Sequence, residues 1–162
     1  RDDDPVIFLE NKLLYEMEGE VPDDSYTIPF AEAGNVREGK DVLIVAIGRM
    51  VAFAQHAADL LSKEGIECSI VDPRTTSPLD EESILDWVEE CGRLVIVDEA
   101  YPRCSVASDI AAMVAENGFS ALTAPIIKVT APHSPVPYSP ILEDAYLPSP
   151  QRIIDAVHRV LK

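Results

Sequence analysis

Basic residues are scarce in this 162-residue chain: 13 Lys and Arg stand against 29 Asp and Glu, a formal net charge of −16. Such an excess opposes binding to nucleic acid or to an anionic membrane surface by like-charge repulsion. It favours solubility and would attract a basic protein partner. Cysteine is sparse as well. Cys68, Cys91 and Cys104 are an odd number without paired spacing, which suits free thiols in a reducing compartment. Cys68 falls in an apolar strand candidate and Cys91 at a helix end, positions that point to packing. With only 7 glycines, the chain has neither G-x-G-x-x-G nor G-x-x-x-x-G-K-[ST]. Dinucleotide and nucleoside triphosphate binding therefore lose their usual phosphate loops. No apolar run approaches the roughly 20 residues of a membrane helix, and no signal-peptide pattern opens the chain. The first residues are Arg1-Asp2-Asp3-Asp4-Pro5 rather than Met, so the expectation is a piece of a larger protein.

Apolar residues, by contrast, make up 47% of the chain, enough for one domain with a real core. Val42 to Ile47 is an unbroken apolar run, and the lack of alternation predicts a strand covered on both faces. After Gly48 the period changes. Val51, Phe53, Ala54, Ala57, Ala58, Leu60 and Leu61 recur at helical spacing, and Gly65 supplies a stop. The same strand–turn–helix grammar returns twice. Glu67 to Val71 is followed by a proline-interrupted loop and a helix capped by Asp80 and ended by Gly92. Leu94 to Val97 is followed by a helix from about Ser105 to Glu116. Pro125 to Thr130 reads as a fourth core strand. Pro132, Pro135, Pro137 and Pro140 then impose an extended, rigid loop. Ser149 and Pro150 open a terminal helix whose apolar side is Ile153, Ile154, Val157, Val160 and Leu161.

This order predicts an α/β domain, a three-layer α/β/α sandwich around a mostly parallel sheet. Residues 1–39 differ in character and are expected to be a connecting arm from a preceding domain, with residues 40–162 forming the core domain. Short strands are expected at Val6 to Leu9 and, interrupted by Pro29 and so at an edge, at Tyr26 to Phe30. In parallel sheets ligands sit beyond the C-terminal strand ends, which directs attention to Gly48-Arg49, Asp72 to Thr76 and Asp98 to Tyr101.

Residue chemistry at those loops is thin. His56, His133 and His158 form no metal-ligand pair at a diagnostic spacing. No nucleophile elbow is present, nor is a Gly-Asp-Gly…Asn element for thiamine diphosphate. No catalytic, cofactor-binding or metal-binding residue is assigned. His133, in the proline loop, is placed where it could approach a ligand. Arg74 either holds an anion or ties loops together by pairing with Asp72, Asp98 or Glu99; the tie is the preferred reading because loop backbone at strand ends lacks ladder partners.

Several passages resemble one family. They are Pro5-Val6-Ile7-Phe8-Leu9-Glu10 with Leu14-Tyr15, Gly48-Arg49-Met50-Val51, Val71-Asp72-Pro73-Arg74-Thr75 with Pro78-Leu79-Asp80, Val97-Asp98-Glu99-Ala100 and Ile110-Ala111-Ala112. In this order they resemble the C-terminal part of the β subunit of thiamine-dependent 2-oxo acid dehydrogenase E1 components. Pro102-Arg103-Cys104-Ser105 and Pro137-Tyr138-Ser139-Pro140 with Leu142-Glu143-Asp144 look most like the acetoin dehydrogenase branch. Many pyruvate-type members are glycine-rich where this chain has Cys104-Ser105-Val106-Ala107-Ser108. The resemblance implies a transketolase C-terminal-like fold, a five-stranded mixed sheet with its first strand antiparallel. It also implies a parent heterotetramer of E1 α and β subunits with thiamine diphosphate and magnesium held outside this stretch. What this stretch would supply is contact with a second β subunit and docking of the E2 acyltransferase, with Glu116, Glu143, Asp144 and the terminal carboxylate of Lys162 as candidate contacts. A bacterial cytoplasmic location is expected from the same likeness. The alternatives from sequence are a pyruvate or branched-chain 2-oxo acid E1 β subunit, the C-terminal domain of a related transketolase or deoxyxylulose-phosphate synthase, and a stand-alone nucleotide- or effector-binding module.

Overall fold

A computed structural model describes residues 3–5, 7 and 10–162 of the chain. The apolar run becomes β2 (Val42–Ala46), every residue of which is buried. It is flanked on one side by β3 (Cys68–Asp72) and on the other by β4 (Leu94–Asp98), both parallel to it. β5 (Ile127–Thr130) extends the sheet parallel to β4. β1 (Gly34–Arg37) closes the other edge antiparallel to β3, giving the order β1-β3-β2-β4-β5.

Period-2 side-chain direction divides β2 between two cores. Val42, Ile44 and Ala46 face α1 (Met50–Ser62) and α5 (Pro150–Val160). Leu43 and Val45 face α2 (Glu81–Cys91) and α3 (Val106–Asn117). An uninterrupted apolar strand is what two covered faces require. The helices stop where expected: Gly92 closes α2 at φ 67°, and Gly65 turns the chain at φ 82° just past α1, both in the left-handed region that favours glycine. Asp80 caps α2 by accepting from the Ser83 amide, and its second oxygen accepts from Ala33 N, so one carboxylate anchors both the helix and the approach to β1. Burial pushes the Asp80 carboxyl up, but these hydrogen bonds outweigh it and hold the group below the usual carboxylate range.

Two expectations need correction. Tyr26 to Phe30 is not a strand; Tyr26, Ile28 and Phe30 are exposed, and the antiparallel edge is formed instead by Gly34–Arg37. That segment has a single large apolar residue, Val36, so it carries no periodic signal and is recruited by backbone pairing with β3. It lies within the stretch read as an arm. The extended loop after β5 ends earlier than the prolines suggest, because Pro140 opens a seven-residue helix, α4 (Pro140–Tyr146). The strand expected over Val6 to Leu9 involves Val6, Phe8 and Leu9, which lie outside the described residues.

Candidate functional site

The C-terminal ends of β2, β3 and β4 open onto two adjoining clefts. From β2 the chain runs to β3 on one side, then crosses to β4 on the other, so the crevice beside β2 is the topological switch point of the sheet. A cleft of about 520 Å³ lies there, between the Gly48-Arg49 turn and the Asp98-Glu99 loop, and Glu10, Asn11, Leu14 and Tyr15 form its outer wall. A second, of about 450 Å³, lies between Ile47-Gly48 and the loop after β3, against Ile28, Pro29 and Phe30. Gly48, at φ 58°, separates them; no atom lies within 4 Å of where a Cβ would sit, so the glycine serves the turn and not a close approach.

Arg49 is the cation of the larger cleft. Its guanidinium lies 3.9 Å from a Glu99 carboxylate oxygen and 4.8 Å from the centre of the Phe53 ring. Burial pushes the Glu99 carboxyl up, Arg49 opposes this, and Asp98 and Glu143 add to it. Among the described residues the buried Asp98 makes no ion pair. One oxygen accepts from Ala100 N at 3.0 Å and the other from Ala107 N at 3.4 Å, so the carboxylate fastens the loop after β4 to the first turn of α3. This takes over the capping role that Ser105 leaves open, since Ser105 makes no side-chain cap bond.

Arg74 is exposed and sits at φ 57°. Its own amide donates to Asp72 Oδ1 at 3.0 Å, which joins the two residues, but through backbone rather than charge. Its guanidinium lies over Gly34, where an added Cβ would come within 2.8 Å of it. Among the described residues it has no carboxylate within ion-pair distance, and the arginine that reaches Glu99 is Arg49. The strand order accounts for this: β2 lies between β3 and β4, so the loop that carries Arg74 is next to β1 and one strand removed from Glu99. The four residues expected to form one tie thus divide into an Asp72–Arg74 turn, an Asp98 helix tie and an Arg49–Glu99 pair. The signal that could have found the last was available: Arg49 follows the only glycine in the first strand-to-helix turn.

Asp98→Ala leaves the buried Ala107 amide without an acceptor, at a cost of about 1–3 kcal/mol, while the exposed Ala100 amide can turn to water. It should lower Tm by several degrees, whereas Arg74→Ala, at an exposed site without a charge partner, should change stability by less than about 0.5 kcal/mol. Thermal unfolding followed by circular dichroism checks both.

The proline loop is moored rather than loose. Tyr146 Oη donates to Ser134 O at 2.9 Å, and the His133 ring packs against Tyr101 with centroids 5.5 Å apart. Beyond these anchors Val136, Tyr138, Ile141 and Leu142 stand exposed. The four residues proposed as docking contacts are all exposed but do not form one patch. Glu143 and Asp144 lie on α4, with Glu143 close enough to raise the Glu99 carboxyl, at the C-terminal strand ends. Glu116 ends α3 and Lys162 follows α5, both at the opposite end of the sheet, near the Glu64–His158 pair and the turn at Gly92. Cys68 and Cys91 are buried; burial pushes the Cys68 thiol up to about 12 and raises Cys91, which disfavours the thiolate at both. Cys104 is exposed. Among the described residues no group of His, Cys, Asp and Glu could hold a metal ion, and no helix is long and apolar enough to cross a membrane.

A mixed five-stranded sheet in this order, helices on both faces and no phosphate loop define an α/β domain of the transketolase C-terminal type. The family model for "Transketolase, C-terminal domain" matches residues 31–153. The chain belongs to that family. Acetoin:2,6-dichlorophenolindophenol oxidoreductase subunit beta from Bacillus subtilis is 54% identical over 99% of this chain and 47% of its own length. The protein of the same name from Cupriavidus necator is 57% identical over 100% of this chain and 48% of its own. Pyruvate dehydrogenase E1 component subunit beta from Rickettsia felis is 41% identical over 99% of this chain and 49% of its own. The chain therefore spans about half the length of these relatives. Among solved structures, one described as a split gene transketolase, inactive beta4 tetramer, superposes with a TM-score of 0.74 at 27% identity, covering 88% of this chain and 45% of that one.

Proposed function

We propose that this chain is the C-terminal domain of the β subunit of a thiamine-dependent acetoin dehydrogenase E1 component. The observation that carries the reading is the gap in identity. The acetoin oxidoreductase β subunits are 54% and 57% identical across essentially the whole chain, against 41% for a pyruvate dehydrogenase β subunit. The Cys104-Ser105 sequence ahead of α3, in place of a glycine-rich loop, favours the same branch. The parent enzyme would cleave acetoin oxidatively and pass the acyl group to the lipoyl arm of an E2 acyltransferase in the bacterial cytoplasm. A pyruvate or branched-chain 2-oxo acid parent is the second reading, supported by the lower-identity relatives.

Thiamine diphosphate and magnesium are the cofactors of such a parent. The residues of this chain do not fit them: no metal-holding cluster occurs among the described residues, and the clefts lack a Gly-Asp-Gly…Asn element. Within the parent the domain would serve assembly with an E1 α subunit and a second β subunit, and docking of E2. The exposed apolar residues of the arm (Leu13, Tyr15, Met17, Val21, Tyr26, Ile28 and Phe30) support an assembly role, since so many large side chains in one short stretch mark a surface meant to be covered. Docking contacts at Glu143 and Asp144 and at Glu116 and Lys162 are two separate surfaces in this reading, one at each end of the sheet.

The 162-residue chain alone, supplied with thiamine diphosphate, magnesium and acetoin, should not reduce 2,6-dichlorophenolindophenol above the protein-free rate. Saturable acetoin-dependent reduction by the chain alone would place an active site within it and overturn the reading.

A further inference from the structure

We propose that the cleft at the switch point binds a small organic monocarboxylate through Arg49. The inference does not depend on which substrate the parent enzyme uses. The Arg49 side chain is only 19% exposed, yet among the described residues it makes no hydrogen bond. Its contacts are Glu99 at 3.9 Å, beyond hydrogen-bonding distance, and the Phe53 ring. A guanidinium carries five N–H donors in a planar fork that matches a carboxylate. The fork faces the cleft with its donors open to solvent and held only by the long contact to Glu99, so a carboxylate entering the cleft could accept from two of them at once. Phe53 braces the cation from behind, so the fork needs little reorganisation to receive a ligand.

The surroundings select the class of ligand. The cleft volume, about 520 Å³, is in the range of small-molecule sites, and Leu14, Tyr15 and Ile47 give it apolar walls for a short hydrocarbon body. A phosphate or nucleotide is a poor match. The first amides of α1 are already taken, with Met50 N donating to Ile47 O, Val51 N to Gly48 O and Ala52 N to Arg49 O. Glu10, Asp98 and Glu99 line the same space, and repulsion grows with ligand charge, so a single carboxylate is disfavoured less than a multiply charged anion. Asp98 is committed to Ala100 and Ala107, and among the described residues that line the cleft Arg49 is the cation that can recognise the ligand's charge.

The test is a titration of the 15N-labelled protein with sodium butyrate, followed by amide chemical shifts, with sodium chloride holding ionic strength constant. 1-Butanol serves as the uncharged probe of the same length. Butyrate should shift the Gly48, Arg49 and Glu99 amides saturably, and 1-butanol should bind at least about ten-fold more weakly. Arg49→Gln should also weaken butyrate by about ten-fold or more, while Arg74→Gln, in the neighbouring cleft, should bind as the parent protein does. Arg49→Lys keeps the charge without the fork and should fall between. Butyrate shifts that are unsaturable, that miss these three amides, or that persist unchanged in Arg49→Gln would overturn the proposal. Should Arg49→Gln fail to fold, the shift map of the unsubstituted protein and the Arg49→Lys affinity decide the matter in the same way.

Discussion

Ile44→Ala should cost about 2–5 kcal/mol, among the largest losses any single truncation in this chain can produce. Ile44 sits in the middle of the central strand and has no exposed surface. Its neighbours across the sheet are Ile70 on β3 and Val95 on β4, and it shares a core with Met50, Ala54 and Ala57 of α1 and Ile153 and Val157 of α5. The side chains around it are fixed by two strand ladders and two helices, so the cavity has little freedom to collapse. A domain of this size loses roughly 2–4 °C of Tm per kcal/mol, so the melting temperature should fall by about 4–20 °C. Leu161→Ala, at the partly covered end of α5, should lose distinctly less. Equal losses at the two positions would mean that the core is not organised around β2.

Gly39→Ala should destabilise by about 1–3 kcal/mol or more, for a different reason. A Cβ added at Gly39 would lie 2.4 Å from the carbonyl carbon of Cys68 and 2.6 Å from its oxygen. Both atoms are backbone, so relief requires moving the start of β3 away from β2. The same residue exchanges hydrogen bonds with Ser69: Gly39 N donates to Ser69 Oγ at 2.9 Å, and that hydroxyl donates to Gly39 O. Movement of β3 would break both. Two other glycines provide internal controls. At Gly34 the obstacle is the far end of the flexible Arg74 side chain, and at Gly19 nothing lies within 4 Å. Gly34→Ala should therefore be mild and Gly19→Ala neutral, as read by urea denaturation. A neutral Gly39→Ala would refute the close approach of the two strands.

The core was legible because its residues obey simple periods. β2, β3, β4 and α1 follow from apolar runs and helical spacing, and Asp80, Gly92 and Ser149 act at the ends assigned to them. β1 was not legible, since a short edge strand with one Val is defined by its partner's backbone rather than by its own pattern. α4 was hidden by a conflict of signals: proline in a proline-rich tract reads as extended chain, although Ser139-Pro140 has the same helix-opening form as Ser149-Pro150. In the site, sequence proximity to strand ends found the right loops. It could not find the partners, because whether Arg49 or Arg74 reaches Glu99 depends on strand order: β2, which leads to Arg49, is next to β4, and β3, which leads to Arg74, is not. The docking residues illustrate the same limit: position late in the chain grouped Glu116, Glu143, Asp144 and Lys162, while helices antiparallel to the strands carry them to opposite ends of the sheet.

The central reading is that this domain works inside an E1 β subunit acting on acetoin. The most direct measurement combines the full-length β subunit that contains this sequence with its α subunit, thiamine diphosphate and magnesium. Dye reduction is then followed with acetoin and with pyruvate in parallel. Acetoin should support turnover at a specificity far above pyruvate, and omitting either subunit should abolish it. Turnover with pyruvate and not with acetoin, or undiminished acetoin turnover without the β subunit, would contradict the account.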